Sequence, residues 1–172
     1  MSEFTIRPAL PAEAQTLSAV AMRLFRETYA DQIPPADLES YVTSAFHPEA
    51  QLAEITCPGG TVLIALDGPE PVAYAQLRPG RAAGSLEVAR FYVASRFHGS
   101  GLATRLMQAC LDWAAPNYQS LWLQVWEANP RAIRFYEKLG FSGGGETTFK
   151  VGSILYRDRI MVRPINRSDA PG

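Results

Sequence analysis

The chain has 172 residues, 47% hydrophobic and 19% charged, which is enough apolar sequence for a globular domain with a substantial core. Its net charge of −1 excludes the strongly basic surface typical of nucleic-acid-binding domains, so we expect no nucleic-acid partner. The longest apolar run, residues 62–66, is far shorter than a membrane span, so we expect no membrane association.

The pattern of apolar residues predicts strands and helices in the order βαα-ββ-βα-βα-ββ. The predicted strands cover residues 4–9, 61–66, 72–77, 85–93, 121–126, 146–150 and 156–162. Helical periodicity covers residues 12–29, 37–46, a short piece at 49–56, a segment that begins at Leu102, and 130–139. Three glycines at 143–145 predict a flexible turn before the last two strands. We expect a single domain over residues 1–165 and a flexible C-terminal tail over 166–172.

The first residues, MSEFTIRPAL, contain neither the basic nor the apolar segment of a secretion signal. The two cysteines, Cys57 and Cys110, form neither a disulfide framework nor a metal-binding pattern. Cys110 falls on the apolar face of its predicted helix and is expected in the core. We therefore expect a cytoplasmic protein without a metal site.

A glycine turn, HGSGLA at residues 98–103, connects the predicted strand 85–93 to the helix that begins at Leu102. The first N–H groups of a helix lack internal partners and carry the positive end of the helix dipole. Glycines also remove the Cβ atoms that would keep a phosphate at a distance. The order strand, glycine turn, helix thus predicts an anion site, although a plain tight turn can have the same letters. No Gly-Lys-Ser/Thr follows, which excludes a P-loop.

A second segment, NPRAIRFYEKLGF at residues 129–141, follows the predicted strand 121–126. Together, the two segments resemble the GNAT superfamily of acetyl-CoA-dependent N-acetyltransferases. The first is similar to the family's Q/R-x-x-G-x-G/A signature, with His98 in the Gln/Arg position, and Arg96 takes that position in an alternative register. The second is similar to the family's N-x-x-A-x-x-x-Y-x-x-x-G-F signature. The resemblance implies an α/β fold of the α+β type, with a twisted, mixed but mostly antiparallel sheet of about seven strands, flanking helices and splayed central strands.

The resemblance also implies acetyl-CoA as cosubstrate, with the pantetheine arm on the central strand and the pyrophosphate on the glycine turn. The residues expected to bind it are Phe91, Tyr92, Val93, His98, Gly99, Ser100, Gly101, Leu102, Ala103, Thr104, Asn129 and Tyr136. Asn129 is also predicted to be a helix N-cap, because it directly precedes Pro130. The two roles are compatible.

Acetyl transfer needs a proton for the leaving thiolate and a base for the incoming amine. Tyr136 occupies the family's general-acid position. The alternative is a purely structural role, as a half-buried tyrosine on the face of its helix. Glu87 is the best candidate for the base, and Glu127 is a competing candidate that also fits a cap or an ion pair at the end of its strand. Strand alternation predicts that it shares a face with Ala89, Phe91 and Val93. The alternative for Glu87 is a salt bridge to Arg78, Arg81 or Arg90.

A looser set of residues lies mostly outside the two signatures: Phe25 to Tyr29, Tyr41, Ala45, Phe46, Trp126, Glu127, Asn129, Phe149, Gly152, Asp158, Ile160 and Met161. This set is similar to a bacterial GNAT branch that includes spermidine and spermine acetyltransferases. Glu27, Tyr29 and Trp126 are expected to contact the acceptor. A polycation requires carboxylates, and the candidates are Glu27, Asp31, Asp37, Glu39 and Glu87. Amino acids, aminoglycosides, and protein N-terminal or lysine amines are the alternatives, and a non-catalytic acyl-CoA sensor is an alternative of another class. Either a monomer or a homodimer is expected.

Overall fold

A seven-stranded sheet runs through the computed structural model, which describes residues 3–166, in the order β1-β2-β3-β4-β5-β7-β6. Its strands are β1 Phe4–Pro8, β2 Thr61–Asp67, β3 Glu70–Pro79, β4 Ser85–Val93, β5 Ser120–Trp126, β6 Ser142–Val151 and β7 Ile154–Pro164. All neighbouring strands are antiparallel except the parallel pair β4 and β5. This mixed, mostly antiparallel sheet confirms the predicted fold class.

Five α-helices cover the two faces of the sheet within the described residues. They are α1 Ala14–Tyr29, α2 Pro35–Ala45, α3 Pro48–Ile55, α4 Leu102–Ala114 and α5 Pro130–Lys138. Three of them begin with proline at the first helical position, where the missing N–H would have had no internal partner. The helices α1 and α4 bury apolar stripes against the sheet, and Cys110 lies fully buried in the core as predicted.

The strands β4 and β5 pair only at one end. Their register joins residues 85–88 of β4 to residues 120–123 of β5, and no further ladder pair connects them in the described chain. From Ala89 and Gln124 onward the two strands diverge, which confirms the predicted splay. A gap therefore opens in the middle of the sheet, at the carboxyl ends of two parallel strands.

A β-bulge at Ala89 changes which side chains of β4 share a face. Leu77 pairs with Val88 and Gln76 pairs with Arg90, so Ala89 has no opposing residue. The extra residue inverts the alternation beyond it, and Glu87 shares its face with Arg90 and Tyr92. The prediction that Glu87 lies beside Ala89, Phe91 and Val93 was therefore wrong.

The two faces of β4 meet different helices. The Phe91 ring lies 6.0 Å from Phe135 and 6.2 Å from Tyr136, both on α5. The Tyr92 ring lies 6.0 Å from Phe25 and 6.4 Å from Tyr29, both on α1. Adjacent residues of β4 thus point to the α5 side and the α1 side of the sheet.

The predicted turn at residues 143–145 was also wrong, because these glycines belong to β6. A register shift between Gly143 and Gly145 marks a second bulge. A Cβ at Gly144 would lie 2.7 Å from the Val162 side chain, so only glycine allows β6 to approach β7 this closely.

The predicted C-terminal tail lies outside the described residues, except for Asn166. Among the helices formed by residues 3–166, none is long and apolar enough to cross a membrane.

Candidate active site

A cavity of about 880 Å³ occupies the gap between β4 and β5. Its wall is formed by α1, β4, α4, β5, α5 and β7, together with parts of α2, β3 and β6. The predicted site residues on the wall are Glu27, Tyr29, Glu87, Phe91, Tyr92, Val93, His98, Gly99, Gly101, Ala103, Thr104, Trp126, Asn129 and Tyr136. The structure thus brings together residues from both signatures and from the expected acceptor side.

Ser100 and Leu102 are the predicted binding residues that do not line the cavity. The Leu102 side chain is fully buried in the core. The Ser100 hydroxyl donates to the Phe97 carbonyl at 2.5 Å and accepts from the Leu102 N–H at 3.3 Å. Both residues therefore hold the shape of the turn.

The start of α4 forms one end of the cavity. Gly99 and Gly101 have φ angles of +81° and +87°, in the left-handed region that favours glycine, and no atom lies within 4 Å of the place where either Cβ would be. Gly101 is the N-cap, so Ala103 and Thr104 are the second and third helical residues. Their N–H groups come too early in α4 for intrahelical partners, and both residues lie on the cavity wall. Unpaired N–H groups at a helix start, with open space in front of them, are able to bind an anion.

His98, and not Arg96, lines this end of the cavity. Arg96 pairs with Glu70 at 2.9 Å, and its guanidinium carbon lies 4.8 Å from the centre of the Phe97 ring. The Nδ1 atom of His98 is 2.8 Å from the Arg131 guanidinium, which can only donate a hydrogen bond. Nδ1 is therefore the acceptor, and Nε2–H donates to the Val93 carbonyl at 3.2 Å. His98 thus links the end of β4 to Arg131.

Arg131 was not predicted as a site residue. It lies in the first turn of α5, lines the cavity and places its guanidinium beside His98. The sequence signal that could have identified it is a cation two positions after Asn129, inside the second signature. Asn129 itself caps α5 as expected, since its side-chain oxygen accepts from the Ala132 N–H at 3.2 Å.

Tyr136 presents its hydroxyl to the cavity from the buried face of α5. Its ring contacts Phe91, Phe135 and Phe141, with centroid distances between 5.3 and 6.2 Å. Burial, and after it the electrostatic influence of Tyr29, raises the pKa of Tyr136 above its ordinary value, so this phenol is protonated at neutral pH. The hydroxyl makes no hydrogen bond to the part of the chain that the structure describes.

Aromatic rings line the α1 side of the cavity. They belong to Tyr29, Tyr41, Trp126, Phe149 and Tyr156. Tyr41 contacts Phe149 at 5.5 Å, and Trp126 contacts Tyr156 at 5.8 Å, measured between ring centroids. Of these five, only Tyr29 and Trp126 were predicted as acceptor residues. The π faces of such rings attract cations.

Most of the predicted carboxylates already have partners. Glu87 pairs with the Arg78 guanidinium at 2.5 Å, as its alternative interpretation predicted. Glu27 accepts from the backbone N–H of Ser95 at 3.2 Å, and Glu39 pairs with Arg26 at 2.7 Å. Two further candidates, Asp31 and Asp37, do not line the cavity.

One further carboxylate on the cavity wall, Asp158, was not predicted as a site residue. It lies on β7, opposite Trp126 of β5 and Thr147 of β6. It lines the cavity, and only 8% of its surface is exposed. Burial raises the pKa of Asp158 to about 6. In the sequence, Asp158 contributes only to the resemblance to the polyamine acetyltransferase branch, and no local pattern there predicts that it is buried beside the cavity.

Comparisons with known proteins connect this arrangement to a family. The sequence profile of the Acetyltransferase (GNAT) family matches residues 22–141 of this chain. An uncharacterized N-acetyltransferase of Mycobacterium tuberculosis is 34% identical over 158 residues, which cover 89% of this chain and 98% of that protein. The spermine/spermidine N(1)-acetyltransferase of Bacillus subtilis is 29% identical over 77 residues, which cover 44% of this chain and 51% of that enzyme.

Solved structures show the same fold. The PaiA N-acetyltransferase of Thermoplasma acidophilum, in complex with coenzyme A, superimposes with a TM-score of 0.78 at 22% identity. The superposition covers 94% of this chain and 99% of that one.

Proposed function

This chain belongs to the GNAT family of acetyltransferases, and we propose that it transfers an acetyl group from acetyl-CoA to a primary amine of a small molecule. The observation that carries the proposal is the cavity between β4 and β5. It joins an anion-binding helix terminus to an aromatic pocket that contains a carboxylate. The helix terminus is suited to the negative pyrophosphate of acetyl-CoA, and the aromatic pocket is suited to the positive ammonium form of the amine.

The residues at the α4 end fit acetyl-CoA as the cosubstrate. The N–H groups of Ala103 and Thr104 are available, the glycines leave open space, and Arg131 adds a positive charge. The diverging backbones of β4 and β5 offer hydrogen-bonding groups to the pantetheine arm, and we place Phe91, Tyr92 and Val93 there. The amide nitrogen of Asn129 is free to reach the same arm while its oxygen caps α5.

Acetyl-CoA would supply a thioester, whose C–S bond breaks with the electron pair on sulfur as the amine nitrogen bonds to the carbonyl carbon. Tyr136 is the proposed acid, because its raised pKa keeps the proton that the thiolate needs. Since one cavity receives both substrates, transfer is direct in a ternary complex. Initial-rate plots are therefore expected to intersect, whereas parallel lines would indicate a covalent acetyl-enzyme.

Polyamines such as spermidine and spermine are the proposed acceptors. The aromatic rings and Asp158 suit an ammonium group, and Arg78 and Arg90 are neutralised by Glu87 and Glu54. The partial similarity to the Bacillus subtilis spermine/spermidine acetyltransferase supports the same class.

The proposal is tested by measuring CoA release from acetyl-CoA with a panel of spermidine, spermine, amino acids, aminoglycosides and short peptides. Turnover with the polyamines is the expected result. Turnover with peptides alone would replace the small-molecule acceptor by a protein amine. Acetyl-CoA binding without turnover on any amine would favour the sensor interpretation.

Arg131→Ala is expected to raise the KM for acetyl-CoA about tenfold, because one charge-assisted hydrogen bond to a phosphate is lost. The value of kcat is expected to change much less. Arg134→Ala is the matched control, since Arg134 lies on the same helix, is exposed and does not line the cavity. An equal rise in KM for both variants would show that only the net charge matters and would contradict a phosphate contact.

A further inference from the structure

Asp158 differs from the other carboxylates on the cavity wall because it lacks a partner. Glu87 is held by Arg78, and Glu27 is held by Ser95. Asp158 makes no hydrogen bond or ion pair with any residue in the described range 3–166. A carboxylate buried in this way is unfavourable unless a cation or a proton compensates its charge.

The surroundings of Asp158 are suited to a cation from outside the chain. Its pairing partner on β5 is Trp126, whose ring contacts that of Tyr156. Tyr29, on α1, lies close enough to Asp158 to interact electrostatically. Rings and a single carboxylate together form an aromatic cage, which binds an ammonium group by both cation–π attraction and charge. The cage opens into the same cavity as Tyr136.

We propose that Asp158 binds the ammonium group of the acceptor amine and takes one of its protons before acetyl transfer. This inference rests on the proposed function and places the base on β7, whereas the sequence predicted Glu87 on β4. The burial of Asp158 favours the step, since burial raises the pKa of a carboxylate and lowers that of an ammonium.

Two protons leave the nitrogen during the reaction. The first passes from the ammonium to Asp158 and from there to water, which frees the electron pair that forms the N–C bond. The second replaces the phenolic proton that Tyr136 gives to sulfur as the C–S bond breaks. No electrons are exchanged with an outside reagent, and the products are the acetamide, the thiol and one released proton.

Other titratable groups face the same region, and a pH profile must take them into account. Arg157 and Arg159 flank Asp158 on β7 but point to the opposite face, where Arg157 lies 3.1 Å from Glu146. The charged or titratable groups on the cavity wall are Glu27, Tyr29, Tyr41, Arg78, Glu87, Arg90, Tyr92, His98, Arg131, Tyr136 and Tyr156. Burial is the cause of the raised pKa of Asp158.

Asp158→Asn is expected to lower kcat/KM for the amine by about 10- to 50-fold, because water replaces the base only in part. The KM for acetyl-CoA is expected to stay unchanged. In the wild type, kcat/KM rises with pH through about 6 as Asp158 loses its proton, and this limb is expected to vanish in the variant. Glu87→Gln is expected to cause a smaller loss and to keep the limb. The reverse order of the two variants would overturn the proposal.

Stability separates this role from a structural one. Between the ordinary carboxyl pKa of about 4 and the folded value of about 6, the folded protein binds more protons than the unfolded chain. The free energy of unfolding therefore falls as pH rises through that window. Asp158→Asn is expected to raise the melting temperature relative to the wild type at pH 8 and to leave it unchanged at pH 4. Asp67→Asn, on β2 away from the cavity, is the matched control and is expected to show no such difference. A destabilised Asp158→Asn at pH 8 would overturn the proposal.

Binding of n-butylamine, with 1-butanol as the neutral comparison, separates failure of this inference from failure of the proposed function. In the presence of CoA, the amine is expected to raise the melting temperature of the wild type but not that of Asp158→Asn. The alcohol is expected to raise the melting temperature of neither protein. If this result were obtained without turnover on any amine, it would support the ammonium site and contradict the proposed transferase activity. Equal stabilisation of both proteins by the amine would contradict binding of the ammonium group by Asp158, whether or not turnover is observed.

Discussion

Replacing Tyr136 by phenylalanine is expected to lower kcat at least about 100-fold, within the range for loss of a general acid. The variant keeps the ring that packs against Phe91, Phe135 and Phe141 and loses only the hydroxyl that faces the cavity. We therefore expect the melting temperature and the affinity for acetyl-CoA to be unchanged. The measurement is CoA release at saturating concentrations of both substrates.

Tyr156→Phe is the matched control for Tyr136→Phe. Tyr156 lies on the same cavity wall but on β7, where its ring contacts Trp126. Loss of its hydroxyl is expected to change kcat by less than about threefold, since it has no proton to transfer in the proposed mechanism. Equal losses in the two variants would show that Tyr136 has no special part in the chemistry.

A negative charge at the start of α4 is expected to abolish the anion site without harming the fold. Ala103→Glu places a carboxylate at the second helical position, where a phosphate is expected. We expect the KM for acetyl-CoA to rise at least about 100-fold, since like charges at such close quarters cost several kcal/mol. Because an acidic residue near a helix N-terminus is favourable, the melting temperature is expected to stay the same or rise.

Gln108→Glu serves as the control for Ala103→Glu. It adds the same charge to the same helix, on an exposed residue outside the cavity. Its KM for acetyl-CoA is expected to remain close to the wild-type value. A similar rise in KM for both variants would contradict binding of the pyrophosphate at the start of α4.

The elements around the glycine turn were predictable because several local signals agree there. A β-rich segment, a pair of glycines and a helical apolar stripe follow one another, and the structure has β4, the two left-handed glycines and α4 in that order. Proline at the first helical position likewise indicated where α5 begins. Such signals depend on neighbours in sequence.

The errors arose where distant parts of the chain decide the local structure. The bulge at Ala89 depends on how β4 pairs with β3, so regular alternation placed Glu87 with the wrong residues. Glycines 143–145 have the composition of a turn, but their lack of side chains allows β6 to lie against Val162 of β7. Tertiary contacts override local preference in both places.

The candidate site was predictable on the α4 side and less so on the acceptor side. Signature residues identified His98, Asn129 and Tyr136. The positions of Arg131 and Asp158 on the cavity wall depend on the fold, which brings α5 beside the glycine turn and a late strand beside Trp126. An unpaired, buried carboxylate cannot be recognised before its surroundings are known.

The most direct test of the central claim is a calorimetric titration of the protein with acetyl-CoA. We expect one molecule to bind per chain, with a dissociation constant between about 1 µM and 1 mM, the usual range for an enzyme substrate. The affinity is expected to be lost in Ala103→Glu and retained in Tyr136→Phe. No binding by the wild-type protein at millimolar acetyl-CoA would contradict the account of the cavity between β4 and β5 as an acetyl-transfer site.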